Sequence, residues 1–102
     1  MGAIKAYDYS ENEWDVAKFG KGIGHPMRKR LLALLREEGW CRNIDFSRLM
    51  NVSPSTVKEH VDFLVVANLV TINYSFHHYD IVLNREGFKV MQDFLDEMSG
   101  GE

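Results

Sequence analysis

The stretch from Asn43 to Val70, NIDFSRLMNVSPSTVKEHVDFLVVANLV, constrains the fold more than any other part of the chain. Phe46, Leu49 and Met50 make one apolar face of a short helix. Asn51 tolerates the left-handed conformation that ends it, and Val52 plugs the corner that follows. Ser53-Pro54 restarts the helix: the serine oxygen accepts free first-turn amides, and proline has its torsion preset and lacks only a donor that would be unpaired anyway. Val57, Val61, Leu64 and Val65 then fall on one buried stripe. Ser55, Thr56, Lys58, Glu59 and Asp62 occupy the opposite side. Asn68 closes this second helix, and Leu69-Val70 leads into a strand. A short helix, a tight turn and a longer helix with a polar outer face is helix-turn-helix grammar.

The flanking segments extend the pattern. Residues 1–9 show no clear period and read as an N-terminal arm. Ser10 to Glu13 spells a capping box, so a helix begins there, with Trp14, Ala17 and Ile23 on its apolar side. Gly20, Gly22 and Gly24 are expected to interrupt it. His25-Pro26 opens another helix, carried by Met27, Leu31, Leu34 and Leu35 and stopped by Gly39. Trp40-Cys41-Arg42 is a connection with room for a short extended piece. Residues 70–74 and 79–83 are β-rich runs around Ser75-Phe76-His77-His78 and predict a two-stranded hairpin. Phe88, Met91, Phe94, Leu95 and Met98 define a last amphipathic helix whose polar side is acidic, with residues 99–102 as a disordered tail. The expectation is one domain over residues 1–102, mainly α with a small β-hairpin (α+β), a winged helix-turn-helix. With 45% apolar and 26% charged residues in a 102-residue chain, a single ordinary core is within reach.

Charge and composition narrow the chemistry. The net charge of −3 is unevenly spread, at +5 across residues 17–42 against −3, −1 and −4 in residues 1–16, 43–70 and 71–102. Lys18, Lys21, Arg28, Lys29, Arg30, Arg36 and Arg42 are therefore candidates for one phosphate-attracting surface, although a charged helix face is more often simply solvated. The lone Cys41 leaves no intrachain disulfide and reads as a spectator thiol. With no run of about 18 apolar residues and no basic-then-apolar leader, neither a membrane span nor a signal peptide is expected, and a cytoplasmic location is. No carboxylate pair, nucleophile with base or phosphate loop has a usable spacing, so an enzyme is not expected, nor any cofactor.

Reading DNA takes short polar donors at the start of a helix that fits the major groove, with cations to hold the phosphates. Ser53, Ser55, Thr56 and Lys58 meet the first need, Glu59 can accept from a cytosine amino group, and Lys58, Arg42 and Arg48 meet the second. His77 and His78 sit in the hairpin turn, near the DNA backbone or in solvent. Glu59 and Asp62 weaken the surface by repelling phosphate.

Several segments are similar to one known family. GHPMRKRLL at residues 24–32 resembles the entry to the second helix of ArsR-type repressors, and VSPSTVKEHV at 52–61 the start of their recognition helix. Asn68-Leu69-Val70 resembles the exit into their wing, where glycine more often stands first. Asp80 to Asn84 resembles the second wing strand. The resemblance runs from about residue 12 to 98. It implies a homodimeric, double-stranded-DNA-binding transcriptional repressor with recognition helix 53–67, wing 70–83, and dimer surfaces on the first and last helices, here Trp14, Phe88, Met91, Phe94, Leu95 and Met98. The chain departs from metal-sensing members: Gly39-Trp40-Cys41-Arg42 offers one thiol, and the last helix has no spaced histidines, so no metal site is expected. The alternative is a winged helix that docks protein, favoured by the acidic ends and a hairpin without Arg or Lys.

Overall fold

The computed structural model describes residues 8–100. Its elements run α1 Glu11–Gly22, α2 Pro26–Glu38, β1 Trp40–Arg42, α3 Asn43–Met50, α4 Pro54–Val66, β2 Val70–Tyr74, β3 Tyr79–Leu83, a 3-10 turn Arg85–Phe88 and α5 Lys89–Ser99. Of the expected arm only Asp8 and Tyr9 fall among these residues. Of the expected tail only Ser99 and Gly100 do, and Ser99 is helical, its hydroxyl donating to the Leu95 carbonyl.

The helix ends form for the reasons written in the sequence. Ser10 Oγ accepts from the Glu13 amide at 3.1 Å while Glu13 Oε1 accepts from the Ser10 amide at 2.8 Å, a reciprocal capping box. His25 Nδ1 accepts from the Met27 amide at 3.0 Å ahead of Pro26, and Gly39, at φ 87°, closes α2. Asn51 (φ 55°) and Asn68 (φ 63°) take the left-handed conformation at the ends of α3 and α4.

Two expectations on the N-terminal side need correcting. Gly20 does not interrupt α1, which continues to Gly22. Gly22 is a packing residue: a Cβ there would sit 2.6 Å from Ala67 Cβ and 3.3 Å from the Phe63 carbonyl oxygen, so its bare backbone lets α1 cross α4 closely. The inward residue of α1 is Phe19, edge-on to Phe88, whereas Trp14 and Ile23 are exposed.

The hairpin is part of a three-stranded sheet, in the order β1-β3-β2. Trp40, Cys41 and Arg42 pair antiparallel with Val82, Ile81 and Asp80. Asn43 Oδ1 accepts from the Tyr79 amide at 3.0 Å, which fixes the start of α3 to the start of β3. At the other end of β3, Asn84 Nδ2 donates to the Asn68 carbonyl at 2.9 Å, and Gly87 lies so close to that carbonyl that no Cβ would fit. The wing is thus tied at its base to the end of α4.

Leu31 and Leu35 of α2, Phe46 of α3, Val57, Val61 and Leu64 of α4, and Leu69, Val70 and Ile81 fill the core. Leu49 and Val65, expected to point inward, are 67% and 42% exposed, because α3 and α4 each turn a narrower stripe to the core than the spacing implied.

Candidate nucleic-acid interface

The outer face of α4 begins at its cap. Ser53 Oγ accepts from the Thr56 amide at 3.1 Å and lies 3.0 Å from Thr56 Oγ1, so both hydroxyls are drawn into the cap. Ser55, Lys58, Glu59 and Asp62 are exposed. Ser55 has no hydrogen-bonded side-chain partner among the described residues, which makes it the most available short donor at the helix start. Lys58 Nζ bonds Asp62 Oδ1 at 2.7 Å, one turn on. That hydrogen bond is the main reason the lysine pKa is raised, and it also means that a phosphate must compete with Asp62 for this cation. In water such an exposed pair is weak and readily exchanged.

The remaining site residues are arranged around this face with different degrees of freedom. Arg42 Nε stands 3.6 Å from Asp80 Oδ1, too long for a hydrogen bond but an ion pair, formed because Arg42 and Asp80 are register partners across β1 and β3. Arg48, on α3, is exposed and forms no ion pair among the described residues. In the hairpin turn His77 is exposed, with its ring 4.1 Å from that of Phe76, while His78 is half-buried.

Between α4 and the hairpin lies a groove of about 370 Å³ lined by Lys58, Asp62, Val65, Ile72, Tyr74 and Tyr79, among others. The Tyr79 hydroxyl is buried there without a hydrogen-bond partner among the described residues, and burial pushes its pKa up. Tyr74, Tyr79 and the 91%-exposed Phe76 were not singled out from the sequence, since aromatic residues in strand-like runs read first as sheet formers.

The basic stretch of residues 17–42 does not form one surface. Arg28 is only 7% exposed. Its guanidinium lies 4.3 Å from the Phe63 ring centre, Nη1 reaches His60 Nδ1 at 3.1 Å, and Nη2 donates to the Lys21 carbonyl. A guanidinium only donates, so His60 Nδ1 accepts and the ring carries its proton on Nε2. Burial, then the neighbouring His25 ring at 4.5 Å and Arg28, hold the His60 pKa below its ordinary value. Arg28 therefore braces the junction of α1, α2 and α4. Lys29 and Arg36 line a different groove, with Arg85.

The expected dimer residues also divide. Phe88 and Met91 are half-buried against the core. Phe88 belongs to the 3-10 turn before α5, whose first residue is Lys89. Phe94 is half-buried, whereas Trp14, Leu95 and Met98 are 44%, 54% and 63% exposed. Cys41 is buried, its thiol pKa raised chiefly by that burial. Among the described residues no three His, Cys, Asp or Glu side chains are grouped to hold a metal, and no helix is long and apolar enough to cross a membrane.

A buried-stripe helix with a polar outer face, preceded by a short helix and followed by a hairpin packed on the core, decides the fold. The chain is a winged helix-turn-helix. Solved structures with the same arrangement include an ArsR family transcriptional regulator, with TM-score 0.79 and 13% identity over 88% of this chain and 92% of that one. HlyU from Vibrio cholerae superposes with TM-score 0.66 and 17% identity over 91% of this chain and all of its own. NolR from Sinorhizobium fredii does so with TM-score 0.65 and 19% identity over the full length of both. At these identities the likeness is one of fold, and it is the ArsR-type winged helix that residues 24–32 and 52–61 resemble. No protein-family model and no curated protein sequence matches the chain.

Proposed function

We propose that this winged helix is a DNA-binding transcriptional regulator that acts as a homodimer, with α4 in the major groove and the β2–β3 hairpin as its wing. The observation that carries the reading is the two-sidedness of α4. Val57, Val61 and Leu64 are fully buried, so the helix is held rigidly from behind, while its first two turns present Ser55, Lys58 and Glu59 to solvent. A rigid helix with polar side chains at its exposed N-terminal end is what base-edge reading requires. Arg48 and Lys58 supply phosphate contacts, with Arg42 after it leaves Asp80. The further reading as a repressor rests on the resemblance of residues 24–32 and 52–61 to ArsR-type repressors.

A second copy is expected on α1 and α5, where Trp14, Leu95 and Met98 face outward. Two-fold pairing would set two α4 helices for half-sites about one turn of DNA apart, and would add the affinity that one acidic chain lacks.

One observation favours a protein-docking module instead: Lys58 and Arg42 are each paired with a carboxylate of the same domain. Binding to random-sequence duplex DNA across a salt series separates the two readings. Phosphate neutralisation releases counterions, so log affinity should fall linearly with log salt. Absence of duplex binding even at low salt would rule out the DNA reading.

A further inference from the structure

A second groove, of about 460 Å³, opens between α2 and the base of the wing. Its apolar wall comes from Leu32, Leu83 and Phe88, each half-buried against the core on one side and open on the other. Around it stand three cations from two elements: Lys29 and Arg36 of α2, one helical turn to either side of Leu32 and Ala33, and Arg85 of the 3-10 turn. Among the described residues none of the three forms an ion pair and no carboxylate lines the groove. In a chain of net charge −3 this is a local reversal of sign. The volume falls within the range of small-molecule sites, roughly 300–1,000 Å³. Leu83 is four residues along β3 from Tyr79, so the groove lies about 13 Å down the strand from the turn and away from the outer face of α4.

We propose that this groove binds a small amphipathic carboxylate, with the apolar tail against Leu32, Leu83 and Phe88 and the carboxylate held by Arg36 and Arg85. Arginine suits the role because its planar fork meets a carboxylate in two parallel hydrogen bonds. The apolar wall disfavours a bare inorganic anion, and the ring of unpaired cations disfavours a neutral ligand, which would leave them unserved. An occupant would bridge α2 and the base of the wing, the two elements that meet there.

Calorimetric titration of the purified full chain with sodium octanoate tests this without reference to DNA. Binding at one site per chain is expected, with a dissociation constant of about 1 mM or below. Acetate and 1-octanol, which carry the head group and the tail separately, should each bind at least about tenfold more weakly. Arg36→Ala and Arg85→Ala should each weaken octanoate at least about tenfold, since each removes charge-assisted hydrogen bonds to the carboxylate. Ala33→Trp should block the groove while leaving the circular dichroism of the fold unchanged. Octanol binding as well as octanoate would reduce the site to an apolar crevice. No octanoate binding, or binding untouched in all three folded variants, would overturn the proposal.

Discussion

α4 and α5 are amphipathic helices of similar length, 13 and 11 residues, with opposite relations to the core. In α4 the stripe Val57, Val61 and Leu64 is fully buried, and the side chains left in water over its first two turns are mostly polar. In α5 no residue is buried: Met91 leans on the core, Phe94 is half-covered, and Leu95 and Met98 stand in solvent beside Asp93, Asp96 and Glu97. One helix is anchored by its own domain and offers polar groups outward over its first two turns, with Val65 and Val66 exposed only towards its far end. The other is covered on one side only and offers apolar groups outward. An apolar face on a surface helix marks an interaction site. On the proposed reading α4 meets a polar, charged partner and α5, with Trp14 of α1, an apolar one.

The largest effect should come from breaking the finished helix. Leu64→Ala removes a wholly buried side chain and is expected to lower stability by about 2–5 kcal/mol, measured by urea unfolding. A loss below about 1 kcal/mol would mean that α4 is not anchored by this core. Next is the unfinished helix. Leu95→Glu together with Met98→Glu should leave each chain folded but raise the dimer dissociation constant at least about a hundredfold, since burying each such side chain is worth about 1.5–3 kcal/mol. Met91 and Phe88 are poor choices for this test because their loss would also disturb the core. A double variant that sediments as a dimer would place the contact elsewhere.

A smaller effect is expected on the polar face of α4. Lys58→Ala should weaken duplex binding across sequences and reduce the salt slope by about 1. Asp62→Ala should do the reverse and strengthen binding, because it frees Lys58 and removes a charge that repels phosphate. Unchanged affinity in both variants, by fluorescence anisotropy, would remove this face from the interface.

The smallest effect concerns the junction behind α4. The His60 pKa is held below its ordinary value, so on acidification the unfolded chain takes up this proton before the folded one. His60 therefore leaves stability unchanged above about pH 6.5, erodes it as pH falls below that value, and stops doing so once the folded ring is also protonated. His60→Gln, which still offers Arg28 an acceptor, should lose less melting temperature than the wild type between pH 7 and pH 5. Parallel melting curves would show that the ring titrates freely.

Much of this was legible in the residues. The capping box at Ser10 to Glu13, the His25 and Ser53 starts, the left-handed Asn51 and Asn68, and the buried Val57, Val61 and Leu64 follow from local chemistry that the tertiary structure leaves alone. What was hidden depends on partners distant in the chain. Trp40 to Arg42 is too short to announce a strand and becomes one only because β3 pairs with it. Gly22 looks like a helix breaker until Ala67 is placed against it. Arg28 counts as a surface cation until Phe63 and His60 enclose it. The three cations of the α2 groove are 56 positions apart at their extremes, so no sequence window contains them.

The mass of the protein–DNA complex tests the paired roles of α4 and α5 most directly. Sedimentation velocity of the full chain at micromolar concentration, alone and with a duplex of about 25 base pairs at low salt, spans two half-sites one turn apart. The expected result is a dimer in free solution and two chains on each duplex. A folded monomer that binds singly, or a dimer that ignores the duplex, would contradict the account.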